Sequence, residues 1–240
     1  MKSIKAIAKR LFLRKVCVLG DSHAGVFHYI NSRIIANVWF DVKSVGGATA
    51  FGLANPNSKT NAMEIFKVKI EEVAKNVPLI FLLGEVDTGY LIWWRSQRKG
   101  TEIKDEFENS LKNYAAFLRW AKEQGFEDII VLSATLPTIR NNAQEHGDIA
   151  GERKSVTASQ EDRTRLTLKY NQNLKDICEK NGFHYIDLDG RMLNQNKQLI
   201  KKKYLNENPF DHHCNNKQYS KVILEELKKQ GLVKWTISKP

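Results

Sequence analysis

Three short segments carry residue types that together suit acyl transfer. Ser22 stands in Gly20-Asp21-Ser22-His23, and Asp211 and His213 stand two apart in Asp211-His212-His213. Gly46-Gly47 lies between these two segments in the chain. A serine hydroxyl is a weak nucleophile until a base takes its proton. An imidazole whose other nitrogen faces a carboxylate is such a base. On that chemistry Ser22 is the nucleophile, His213 the base and Asp211 the group that orients it, with His212 as the competing base. The oxyanion of a tetrahedral intermediate needs N–H donors. The N–H of Ser22, at a helix start, is one. Gly47, whose bare backbone can approach a substrate closely, is the second. Asp21, Glu85, Asp87 and His212 flank these positions and are the further candidates for the oxyanion and substrate site.

Each feature also has a plainer use. Asp21 or Ser22 can simply cap a helix. Two histidines in a polar turn can be merely exposed, and two glycines can be only a turn. Gly-Asp-Ser arises by chance in roughly one chain of this length in twenty at average usage. What favours chemistry is where the segments fall among the elements that must carry them.

Apolar runs at 16–19, 38–42, 79–83, 129–132 and 183–188 read as strands. The run at 79–83 shows no alternation, so both of its faces should be buried, as in a parallel sheet. Between the runs, apolar residues recur at helical spacing. Val26, Phe27, Ile30 and Ile34 form one stripe, and Met63, Phe66, Ile70 and Val73 a second. Phe107, Leu111, Tyr114, Leu118 and Ala121 form a third, stopped by Gly125. Leu166, Tyr170, Leu174 and Ile177 follow a capping-box start at Ser159–Asp162 and end at Gly182. Tyr219, Val222, Ile223 and Leu227 mark the last helix. Strand and helix thus alternate about five times, which implies an α/β fold with a five-stranded parallel sheet covered on both faces.

In such open sheets ligands bind beyond the carboxyl ends of the strands. Gly20–His23 follows the first strand, Gly46-Gly47 the second, Gly84-Glu85-Val86-Asp87 the third, and Asp211–His213 precedes the last helix. All four segments therefore gather at one end of the sheet.

In this order, the blocks resemble those of the SGNH (GDSL-type) hydrolase superfamily, from Val16 to Leu227. Gly20-Asp21-Ser22 is similar to the nucleophile block, Gly46-Gly47-Ala48-Thr49 to the glycine block, and Asp211 with His213 to the final block. The resemblance implies a flavodoxin-like three-layer α/β/α sandwich and a Ser22–His213–Asp211 triad, with N–H groups of Ser22 and Gly47 in the oxyanion hole and neither metal nor cofactor. It also implies an ester hydrolase, with deacylation of a carbohydrate favoured among the family's esterases and lipases. An O-acyltransferase on the same triad is one alternative, and a non-catalytic binding module on the same fold is another. The chain departs from the family twice. The third block usually reads Gly-x-Asn-Asp, with the asparagine as a third oxyanion donor, and here Val86 takes that place; Asn55 is a candidate substitute. The final block has one residue between Asp and His rather than the usual two.

Segment 88–100 carries Tyr90, Trp93, Trp94, Arg95 and Arg98. Ile92, Trp93 and Trp94 are expected to pack against the core or a second subunit. The competing use is stacking on a sugar ring, with the two arginines holding an acidic group.

Composition sets the outer bounds. The 240 residues are 42% hydrophobic and 27% charged, ordinary values for one globular domain. One domain over 16–234 is expected, with a basic leader at 1–15 and a long loop or insertion at 135–156. No apolar run is long enough to span a bilayer and the start lacks a signal-peptide core, so a cytoplasmic protein without integral membrane association is expected. Three scattered cysteines suit a reducing compartment and argue against a disulfide framework or zinc site. The net charge of +11 comes from dispersed lysines and arginines with no nucleic-acid motif. The expected partner is a small-molecule or glycan ester rather than nucleic acid, and self-association is possible.

Overall fold

A computed structural model describes residues 13–33, 36–141, 155–196, 198–208 and 211–231. Most of the basic leader (1–12), Ile34, the middle of the expected insertion (142–154) and residues 232–234 lie outside the described residues.

The five strands are β1 (Arg14–Gly20), β2 (Val38–Ser44), β3 (Leu79–Leu82), β4 (Ile129–Leu132) and β5 (His184–Ile186). They form one parallel sheet in the order β2-β1-β3-β4-β5. The register pairs Val16 with Phe40, Cys17 with Leu79, Leu79 with Ile129 and Ile130 with His184. The helices are α1 (Val26–Arg33), α2 (Ala62–Glu71), α3 (Ile92–Lys99), α4 (Ile103–Glu123), α5 (Gln160–Asn181), the single turn α6 (Asp189–Met192) and α7 (Asn216–Lys229).

The period-two geometry of a strand divides its side chains between two cores. Val16, Val18, Ile80, Leu82, Ile130 and Leu132 face one way. They pack on Phe27 and Ile30 of α1 and on Tyr219, Val222 and Ile223 of α7. Cys17, Leu19, Leu79, Phe81, Ile129 and Val131 face the other way, against α2, α4 and α5. All four residues of β3 and all four of β4 are buried, which explains their unbroken apolar runs. The architecture is therefore a three-layer α/β/α sandwich with flavodoxin-like strand order. Cys17, Cys178 and Cys214 are buried and unpaired by disulfides; burial pushes the Cys17 and Cys178 thiols up to about 12.

Local signals agree with the boundaries. Ser159 and Asp162 form a reciprocal capping box at the start of α5, and Gly182 closes it in the left-handed conformation (φ 69°). One region differs from the sequence reading. Residues 92–99 are a helix, entered through a π-helical turn at Asp87–Leu91. Thr88 and Gly89 are poor helix formers, so packing rather than propensity forms it. Residues 135–139, at the start of the expected loop, are irregular and buried. Gln160 Nε2 donates to the Pro137 carbonyl at 2.9 Å and Arg163 Nη2 to the Ile139 carbonyl at 2.6 Å, which satisfies that backbone away from water. Among the described residues no helix is long and apolar enough to cross a membrane.

Candidate active site

At the carboxyl end of the sheet the order reverses between β1 and β3, and the crevice there is the usual ligand position in this topology. A cleft of about 840 Å³ opens at this end. Ser22, Gly47, Val86, His212 and His213 all line it.

The turn after β1 is built around a close approach. A Cβ on Gly20 would lie 2.4 Å from the Leu82 carbonyl oxygen, so β1 and β3 converge only because this residue is glycine. The Asp21 N–H donates to that same carbonyl at 3.1 Å. The Asp21 carboxylate is 1% exposed and accepts the His23 N–H at 2.8 Å, capping a single 3₁₀ turn, Ser22–Gly25, that leads into α1. Asp21 thus faces inward as a cap and does not line the cleft, while Ser22 does. Gly47 adopts φ 71°, a left-handed conformation that disfavours side chains, and turns the chain at the cleft wall.

The segment before α7 holds the candidate base. His213 donates its N–H to Asp211 Oδ1 at 2.9 Å, and its Nδ1 lies 2.6 Å from the same oxygen. Asn206 Nδ2 holds Asp211 Oδ2 at 2.9 Å, so both carboxylate oxygens are fixed. Burial raises the Asp211 carboxyl, but the His213 N–H and imidazole outweigh it and leave its pKa below the ordinary value. With a carboxylate accepting at Nδ1, that nitrogen carries the proton and Nε2 keeps its lone pair. Nε2 is buried and has no hydrogen-bond partner among the described residues. His213 is thus a histidine bonded to Asp211. The His212 ring lies 4.1 Å from that of His213, and the His212 carbonyl accepts the Thr138 hydroxyl.

The turn after β3 behaves differently. Of Glu85, Val86 and Asp87, only Val86 lines the cleft. Asp87 is fully buried. It accepts the Ala50 N–H at 2.8 Å, the Phe51 N–H at 2.9 Å and the Ser110 hydroxyl at 2.7 Å. Burial pushes its pKa up to about 6 against the pull of these donors. Asp87 therefore holds the loop that forms the cleft wall. Glu85 is also buried, at 2% exposure.

The cleft lining is part aromatic and part polar. Tyr90 and Trp94 line it with ring centroids 6.4 Å apart. Asn55, Asn57, Ser58 and Thr60 line it too. The Asn55 side-chain oxygen is engaged by the Asn57 N–H at 3.0 Å. Ile92 is buried in the core, Trp93 is half-buried and donates to the Thr88 carbonyl at 2.7 Å, and Trp94 reaches the cleft. Arg95 bonds Glu106 through Nε and lies 4.1 Å over the Phe51 ring, so its charge is already met; Arg98 does not line the cleft.

Asp211, His212 and His213 each offer one atom of a type that can bind a metal ion, and these atoms lie within 4.8 Å of one another. An ion there would compete with the Asp211–His213 hydrogen bond, which uses one atom from each.

Asn206, Thr138 and His23 support the site without having been singled out from the sequence. Nothing in their neighbourhoods marks Asn206 or Thr138. His23 had a visible signal, because Asp21-x-His23 repeats the spacing of Asp211-x-His213.

Comparison with known proteins places this fold. No family model and no curated protein sequence matches the chain. Solved structures do. A GDSL-like lipase from Bacteroides thetaiotaomicron VPI-5482 superposes with a TM-score of 0.56 at 12% identity, covering 95% of each chain. A member of the lipolytic protein G-D-S-L family from Veillonella parvula DSM 2008 gives 0.54 at 13%, covering 90% of this chain and 96% of that one. A mutant of an acetyl-xylooligosaccharide esterase from Geobacillus Stearmophilus gives 0.50 at 13%, covering 89% and 94%. The chain has the fold of SGNH (GDSL-type) hydrolases.

Proposed function

We propose that this protein is an ester hydrolase of the SGNH type that removes a short acyl group, acetyl above all, from a carbohydrate. Ser22 Oγ attacks the acyl carbonyl and its proton passes to His213 Nε2. Asp211 holds the imidazole and stabilises the imidazolium that forms. The N–H groups of Ser22 and Gly47 receive the oxyanion. His213 then returns the proton to the departing sugar oxygen, and water repeats the sequence on the acyl-serine to release the acid.

The observation that carries this reading is the Asp211–His213 bond of 2.6 Å, with a buried, unpartnered Nε2, in the cleft that Ser22 and Gly47 also line. The substrate class rests on the cleft lining. Tyr90 and Trp94 suit stacking on a pyranose face, and the lining amides and hydroxyls suit sugar hydroxyls. With Arg95 neutralised by Glu106, a neutral sugar fits better than an acidic one. The acetyl-xylooligosaccharide esterase among the structural neighbours is consistent with this class.

Ser22→Ala assayed on a panel of short acyl esters tests the proposal. Loss of turnover is expected, and turnover that survives the substitution rejects it. Val86 in the cleft, where the family has an asparagine donor, favours a second reading: a binding module without catalysis. That reading expects no turnover by the native protein but retained affinity for an acylated sugar.

A further inference from the structure

The chain contains the Asp-x-His arrangement twice. Asp21 Oδ1 accepts the His23 N–H at 2.8 Å and faces His23 Nδ1 at 3.2 Å. Asp211 Oδ1 accepts the His213 N–H at 2.9 Å and faces His213 Nδ1 at 2.6 Å. The same atoms meet across the same two-residue step in the sequence. The pairs differ in burial: the side chains of Asp21 and His23 are each 1% exposed, those of Asp211 and His213 37% and 31%. The two imidazoles pack on each other, with centroids 5.0 Å apart and planes tilted by 53°.

We propose that Asp21 and His23 form a buried positioning pair for His213, which orients its ring from the protein side and holds negative charge beneath it. This rests on the reading of His213 as the base. When Ser22 loses its proton to His213 Nε2, a positive imidazolium appears in contact with the His23 ring. A protonated His23 would repel it. A neutral His23 donating from Nδ1 to an ionised Asp21 makes a pair of net charge −1, shielded from water, where charges are weakly screened. The pair therefore favours the protonated state that His213 must reach, and adds to what Asp211 provides.

Other titratable groups surround His213. From its own segment come Asp211 and His212. From the turn after β3 comes Glu85, near enough to help raise the Cys214 thiol, which burial chiefly raises. From the cleft walls come Lys59 and the neutralised Arg95. Asp21 is bonded to the His23 ring, which packs on His213.

Asp21→Asn tests the charge. The asparagine oxygen still accepts the His23 N–H, so the cap persists while the charge is lost. The imidazole resonances of His213 in the full chain report its titration by NMR, alongside the pH profile of kcat/KM on a short acyl ester. The titration of His213 and the acid limb of the profile should both fall by about half a unit or more, with the backbone spectrum unchanged. An unaltered His213 titration in a folded Asp21→Asn protein overturns the proposal. His23→Phe provides the second variant: it keeps a ring against His213 but removes the bond to Asp21. Lower kcat at unchanged KM is expected, and wild-type kcat overturns the positioning role. Failure of the underlying reading is distinguishable, because the native protein would then show no turnover, or a turnover that survives Ser22→Ala, whatever His213 titrates.

Discussion

The turns after β1 and after β3 sit side by side at the same edge of the sheet, each a glycine followed by polar residues. The first presents Ser22 to the cleft and turns Asp21 inward to cap. The second presents only Val86 and turns both Glu85 and Asp87 inward. Position at a strand's carboxyl end thus nominates residues for chemistry but does not assign them. The backbone path through the turn decides which side chain meets substrate and which meets the backbone of a neighbouring loop. In the proposed function the first turn supplies the nucleophile, and the second holds the cleft wall.

The largest effect that separates the two turns should come from the partner of the first. Asp211→Asn should lower kcat by about 10⁴, as loss of the orienting carboxylate does in serine hydrolases, with little change in thermal stability. Steady-state kinetics beside a melting curve check this. A stability loss with normal kcat would move Asp211 into the scaffold.

Asp87→Ala should reverse that pattern. It strands the buried N–H groups of Ala50 and Phe51 and removes the acceptor of Ser110, a cost on the order of 3 kcal/mol in denaturant unfolding. A folded, stable Asp87→Ala with a damaged active site would instead give Asp87 a direct part in chemistry.

Val86→Asn should act in the opposite sense, restoring a side-chain donor at the cleft. Since loss of such a donor typically costs hundredfold or more, its return should raise kcat on short esters by about tenfold, allowing for imperfect placement. Unchanged rates would mean that another group already serves the oxyanion.

The smallest effect is one of pH. The folded pKa of Asp87, about 6, lies above the unfolded value of 3.8, so the native state binds this proton more tightly. The contribution of Asp87 to stability is then fully present below the unfolded value and is lost as pH rises through the folded one. Asp87→Asn should flatten the stability profile between about pH 4 and 6, measured by urea midpoints; an unchanged slope would contradict the burial argument.

The same contrast explains what the sequence disclosed. The sheet was legible because β3 and β4 are apolar on both faces, and the long helices because their stripes keep period. The last strand was read too long: Phe183 and Leu188 are buried, but only His184–Ile186 pair with β4. The helix at 92–99 was missed because its tryptophans and arginines serve a cleft wall and an ion pair rather than one apolar stripe. The gathering of Ser22, Gly47 and His213 at one cleft, with Asp211 bonded to His213, was legible by type and place, while their roles belong to the proposal. The inward turning of Asp21, Glu85 and Asp87 was not, since burial depends on backbone direction within a four-residue turn. Nor was Asn206, whose bond to Asp211 exists only once the segment folds back on itself.

The central claim is that Ser22 is an activated nucleophile. Incubation of the native protein with a fluorophosphonate, followed by intact mass measurement and peptide mapping, tests it most directly. One adduct, on Ser22, formed far more slowly in His213→Ala, is the expected result. No adduct under native conditions, or an adduct on another residue, would contradict the account.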